Sequence, residues 1–468
     1  MEDDSSLIEG LKNDPLSIID ESPELTTLVQ ATKLQKEDKS SLSDKILSKI
    51  SKGYTCFTVS KIISYSFAET AFILPYCLKK VGIVPYFLGL IFISLISFYM
   101  FYIILDVVIK FNLFKNYHQI LRQNLGRTFN IVYYILNLIY HSLILILESY
   151  TFLQFILKLL SLFDINIERK IIYHLIILLS LVIIHFFLSF IKFLNNPDIL
   201  YIIFMIFFSI LNMTSFIFFL IYKFKNDISS AEEDENQLTS MNFFEGISTD
   251  YILCFSVFIN IIGWQNQISS YLEEFKIKTT GRFFNVLYLS LIVEVILCLV
   301  TGLINTPLVI DNKNNEYKIQ LFVIDYNEEI IPKLMIKIAL IIFCILFNIL
   351  ISHRIHLIEE HFVLLLEVTI YKSSSNMKKI NKILIVLFKI FILLLGILIN
   401  LIINDISYII ILFGGIFASA LNFLNPALLY WKLISKNILV IRIALVLGFI
   451  VLILNVIGLI MKIIFEFI

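Results

Sequence analysis

The sequence predicts an all-α polytopic membrane protein, and three observations carry that expectation. Hydrophobic residues make up 59% of the 468 residues and charged residues only 16%, whereas a water-soluble domain is nearer half apolar and a quarter charged; the mean hydropathy is +0.88. The apolar residues gather into eleven runs, each near the ~20 residues that cross a hydrocarbon core as a helix. None of the runs shows the period-2 alternation that a membrane barrel requires. In lipid every backbone N–H and C=O needs a partner within its own segment, so continuous apolar runs become helices.

In chain order the expected transmembrane helices are 57–79, 83–109, 131–160, 171–192, 198–222, 248–270, 283–306, 332–353, 383–403, 406–431 and 438–465. The third is long enough to tilt or protrude. Ahead of them residues 1–52 are polar, first acidic (Glu2, Asp3, Asp4) and then basic (Lys33, Lys36, Lys39, Lys45). This stretch has no apolar h-region and is expected to be a disordered cytosolic tail, leaving 53–468 as the transmembrane domain. Lys110, Lys115, Arg122 and Arg127, and then Arg354, Lys372, Lys378 and Lys379, fall in connections on the tail's side of the membrane, whereas the acidic run Glu232–Glu235 falls opposite. By the positive-inside rule the N-terminus is cytosolic.

Several function classes are disfavoured at once. A formal net charge of +0 lacks the concentrated basic surface that nucleic acid requires. Five cysteines in or beside apolar runs, with no C-x-x-C pair, suggest small apolar packers rather than a disulfide framework. No Walker motif supports ATP-driven pumping. A membrane-embedded enzyme would need a nucleophile–base or metal constellation. The one candidate is His353, His356 and Glu360 on a single helical face, with His361 beside it; the competing reading is the polar cytosolic end of the eighth helix. The chain is therefore expected not to be an enzyme, and no cofactor is expected.

Transporters place substrate at mid-membrane where helices are interrupted: unwound carbonyls face cations and half-helix N-termini face carboxylates. The first span contains Ala68-Glu69-Thr70-Ala71-Phe72 ahead of Pro75-Tyr76, and the sixth contains Asn260 followed by Gly263-Trp264-Gln265-Asn266. Each is the first of five spans, as in a LeuT-like five-plus-five inverted repeat with broken helices 1 and 6 and one further helix. The expected substrate-binding residues are Ala68, Thr70, Ala71, Phe72, Asn260, Gly263, Gln265 and Asn266. Competing readings are a packing kink at Pro75 and a tight helix contact at Gly263.

These segments resemble the amino acid/auxin permease family. Leu74-Pro75-Tyr76 with Lys79-Lys80-Val81-Gly82 resembles its first helix; Gly263-Trp264-Gln265-Asn266 with Tyr271, Glu273 and Glu274 resembles its sixth. Phe413-Gly414-Gly415 with Phe423, Pro426, Tyr430 and Lys432 resembles its tenth, and Leu188–Leu194 its fourth-to-fifth connection. The family's first-helix glycines are replaced here by Ala68 and Thr70, and a Trp stands where its sixth helix often has His. The resemblance covers about 55–435. It implies a secondary active amino acid transporter, a symporter with proton or sodium as coupling ion, in a plasma membrane or a vacuolar or lysosome-like membrane. A transporter-like amino acid sensor is the alternative.

An ionisable group at mid-span is functional by default. Glu69 is the expected proton site, with capping of the broken helix as the competing reading. Asn348 and Ser352, four apart on the eighth helix, are the expected oxygen ligands if sodium is the ion, with interhelical polar glue as the competitor. Glu148 and Glu294 are further candidates, expected to pair with His141 or with backbone.

Overall fold

The computed structural model describes residues 55–67, 70–110, 125–164, 198–229, 250–265, 280–308, 330–369, 375–402, 406–434 and 438–467, with a few isolated positions between them. The expected tail, the fourth span, the connection carrying Glu232–Glu235, and the site residues Ala68, Glu69 and Asn266 lie outside the described residues.

Among the described residues seven helices are long and apolar enough to cross a membrane, and the chain is a helical membrane protein by their length and composition. The helices are α1 (Thr55–Phe67), α2 (Leu74–Val81), α3 (Ile83–Lys110), α4 (Arg127–Leu162), α5 (Asp198–Ser229) and α6 (Asp250–Ile262). They continue with α7 (Thr280–Asn305), α8 (Lys333–Thr369), α9 (Ser375–Ile402), α10 (Ser407–Leu433) and α11 (Ile438–Phe467). The first and sixth expected spans are not continuous helices: α1 and α6 each run for only 13 residues. In the ninth, the apolar helix has the described length Ile383–Ile399.

The helices are apolar on their exposed faces as well as in the core, and several charged side chains are enclosed between them. Leu88, Leu95 and Tyr102, seven apart on α3, are more than half exposed, whereas Glu148, Glu294 and Arg354 are fully buried. Lipid is as apolar as leucine, so such bundles associate through packing and buried polar contacts.

The longest interface pairs α4 with α8, antiparallel and in seven-residue steps. Tyr134 faces His361 at 6.5 Å between ring centroids, His141 stacks on His361 at 5.1 Å, and Phe155 meets Phe347 at 5.5 Å. At the far ends, Lys337 Nζ lies 4.3 Å from the centre of the Phe163 ring, and Arg127 donates to the carbonyls of Val368 and Thr369, both at 3.0 Å. A helix leaves its last carbonyls without intrahelical partners, so Arg127 caps the end of α8. A period of seven keeps one seam of each helix facing the other along their lengths.

One expectation needs correcting here. Arg354 is not a loop charge. α8 continues through it to Thr369, and its side chain is enclosed between α4 and α8, 3.3 Å from Glu148. It therefore no longer counts among the charges of the expected cytosolic connections.

Candidate functional site

Pro75 does not kink a continuous helix. α1 stops at Phe67, Ala71–Ile73 form a single 3₁₀ turn, and α2 restarts at Leu74 with Pro75 in its first turn. Proline is tolerated there, because that N–H has no intrahelical partner in any case. The break thus lies upstream of Pro75. Its first described residue, Thr70, is fully buried and makes no side-chain cap, and its Oγ1 has no hydrogen-bond partner among the described residues. The restarted segment is met by Thr306, directly after α7, whose Oγ1 lies 3.2 Å from Pro75 O and 2.6 Å from Gly302 O. At its far end Gly82 adopts φ 84°, a left-handed conformation that suits glycine and lets the chain turn directly into α3.

The expected site residues at this break divide by role. Ala71 and Phe72 are both buried. The Phe72 ring is locked among Phe155 of α4, Phe208 of α5 and Phe343 of α8, with centroids 5.0–5.4 Å away. It faces an apolar cluster, so only its backbone remains for polar recognition.

The sixth span breaks as its sequence suggests. α6 ends at Ile262, and Gly263 and Trp264 leave the helix. A Cβ on Gly263 would collide with Ile259 O and come within 2.9 Å of Asn422 Nδ2 on α10; the break therefore requires glycine. Gln265 is fully buried, and neither polar atom of its amide has a partner among the described residues. Asn260, one turn earlier, accepts from Tyr140 OH of α4 at 3.0 Å.

The two breaks meet on one carboxylate. Glu294 of α7 accepts from Ser66 Oγ, in the last turn of α1, at 2.7 Å through Oε1. It accepts from Trp264 Nε1 at 3.1 Å through Oε2. Trp264 lies against Phe101 of α3, with ring centroids 4.1 Å apart. Residues 228 and 30 positions away in sequence are thereby pinned to one side chain. Neither partner was expected for Glu294. Its mid-span position was legible, but a serine in an apolar helix announces no long-range role.

α10 lies alongside α6 and is wound more widely than an α-helix over Ile411–Phe417 and Ala420–Leu424. Such π segments are frequent at functional sites. A Cβ on Gly414 would fall 3.2 Å from the Ser256 carbonyl carbon. The glycines of the tenth-helix motif therefore serve close helix contact, and Asn422 of the same helix reaches the Gly263 break.

Other candidates stand apart from the two breaks. Asn348 Nδ2 donates to Cys344 O and Ser352 Oγ to Asn348 O, both at 2.8 Å along α8 itself. Glu148 reaches Arg354 Nη2 at 3.3 Å, while Arg354 Nη1 lies 3.2 Å from His141 Nδ1; the expected Glu148–His141 pairing is thus mediated by a guanidinium. This cluster could have been found from the seven-residue spacing of Arg127, Tyr134, His141, Glu148 and Phe155 against Phe347, Arg354, His361 and Val368. His356 turns to Glu359 at 3.6 Å. Among the described residues no three His, Cys, Asp or Glu side chains gather as a metal site.

The arrangement presents polar groups of both signs between the breaks. The start of the 71–81 segment offers N–H groups and a positive helix end to an anion, and the Gln265 amide offers both a donor and an acceptor. No protein-family model matches the chain, and none of the curated proteins does.

Proposed function

We propose that the chain is a secondary active transporter of amino acids, driven by protons or sodium, that works by alternating access around the breaks after α1 and α6. The observation that carries this reading is that both interruptions, far apart in sequence, are joined through Glu294. Interrupted helices are tolerated at membrane depth where they are buried in protein or line a cavity, and paired interruptions in corresponding halves mark transporter sites. Two buried groups without partners among the described residues, the Thr70 hydroxyl and the Gln265 amide, add polar capacity at the breaks.

In this reading the substrate carboxylate meets the N–H groups at Thr70, Ala71 and Phe72. The amino group meets Asn260, Gln265 and the carbonyls near Gly263. The full architecture is the eleven-span, five-plus-five repeat with a cytosolic N-terminus, in a plasma membrane or a vacuolar or lysosome-like membrane. The seven long apolar helices among the described residues and the two breaks support this reading.

The test is uptake of a panel of labelled amino acids by the purified chain in proteoliposomes, under imposed proton or sodium gradients. Accumulation of at least one amino acid is expected. Binding without flux would make the chain a sensor, and neither binding nor flux would overturn the reading. For topology, protease should reach Glu232–Glu235 only from the non-cytosolic side.

A further inference from the structure

We propose that Glu294 is the proton-exchange site of this protein, and that its two protonation states are transmitted to both helix breaks through Ser66 and Trp264. The proposal rests on the transport reading for its role in the cycle, but its chemistry is tested separately below.

The geometry accommodates a proton without dismantling the site. Trp264 Nε1 can only donate, so Oε2, at 3.1 Å, stays an acceptor in both states. Ser66 Oγ can donate or accept, and it has two acceptors within reach: Glu294 Oε1 at 2.7 Å and Ile63 O, on its own helix, at 3.2 Å. With Glu294 ionised, the serine hydrogen points to Oε1. When a proton binds Oε1, a new O–H bond forms and donates to Ser66 Oγ, and the serine hydrogen turns to Ile63 O. One proton enters, no heavy atom need move far, and the hydrogen bond between α1 and α7 reverses its direction while Ser66 gains a contact within α1.

The surroundings separate this carboxylate from the other charges. Of the packed elements, α7 itself contributes the Cys298 thiol, α2 Cys77, α6 Cys254 and α3 Tyr86, whose hydroxyl donates to Cys298 O at 2.8 Å. None of these is a cation. Lys61 of α1 stands near His353, Lys79 and Lys80 occupy the last turn of α2, with Lys80 over Tyr76, and Asp106 of α3 is paired with Lys110. Asp250 stands in the first turn of α6, at the opposite end from Trp264, and α5 carries no charged residue between 202 and 222. The described donors to Glu294 are both neutral, and among the described residues no cation is hydrogen-bonded to it.

The chain has two tryptophans, which makes the site directly observable. In nanodiscs, with the exposed Trp431 replaced by Phe, Trp264 emission should change with pH in a single transition, and Glu294→Gln should abolish it. Glutamine mimics the protonated arrangement, with its N–H₂ toward Ser66 and its oxygen toward Trp264. Ser66→Ala, which keeps the carboxylate, should displace the transition by about one pH unit, the difference between a hydrogen bond to a charged and to a neutral group. In proteoliposomes, uptake by Glu294→Gln should lose its response to an imposed proton gradient by tenfold or more. A flat Trp264 titration in the parent, or an unchanged one in Glu294→Gln, overturns the proposal. A parent that titrates as expected but moves no amino acid overturns the transport reading instead.

Discussion

Glu148 and Glu294 are both fully buried carboxylates on long apolar helices, yet the bundle treats them differently. Glu148 lies in the α4–α8 seam, 3.3 Å from a guanidinium that also touches His141, and it sits within a seven-residue register capped by Arg127. Glu294 lies between two broken helices and receives only neutral described donors. A buried ion pair is costly to assemble and costly to break, and it fixes register. A carboxylate on neutral hydrogen bonds can take either protonation state with a small rearrangement. The seam is therefore read as the rigid part of the molecule and the breaks as the part that responds.

The largest expected effect tests the rigid half. Arg354→Ala strands Glu148 without its counter-charge and should destabilise the protein by about 3–5 kcal/mol, measured by unfolding in detergent micelles. Adding Glu148→Leu should recover most of that loss, and a double variant as unstable as the single one would remove the pair from the account.

Next, Gly263→Ala places a methyl against Ile259 O and Asn422 Nδ2. Overpacking of this kind costs about 1–3 kcal/mol. Because the strain falls on the break, uptake should drop tenfold or more while α4–α8 stability is kept. Wild-type uptake by this variant would take the sixth-span break out of the site.

Smaller still, Ser66→Ala and Trp264→Phe should each remove a hydrogen bond to Glu294 worth about 1–3 kcal/mol. A double-mutant cycle of either with Glu294→Gln should show coupling, and strict additivity would show that the contacts do not communicate. Smallest is Lys110→Ala, which breaks the exposed 2.6 Å pair with Asp106 one turn earlier on α3. It should cost no more than about 1 kcal/mol.

Much of this was legible in the residues. The apolar runs that predict helices are found as α3, α4, α5, α7, α8, α10 and α11, because in lipid the backbone has one local solution. The break in the sixth span was readable from Gly263 and its amide neighbours. In the first span Pro75 signalled an interruption, although the structure puts the break upstream and proline at the restart. The helix of the eighth span runs on past 353 to Thr369, and its enclosure there was not legible. The stretch after 353 is polar by composition, but Arg354 and His361 are covered by α4 and the helix continues.

The sequence by itself determined that this chain lives in lipid as helices, where two of them give way, and which carboxylates lie at membrane depth, since each follows from local composition and from hydrogen bonds made within a segment. The tertiary structure alone decided which carboxylate received a cation. Arg354 is 206 residues from Glu148, and Ser66 is 228 from Glu294. Contacts over such separations are set by how whole helices pack, and no local pattern of residues encodes them.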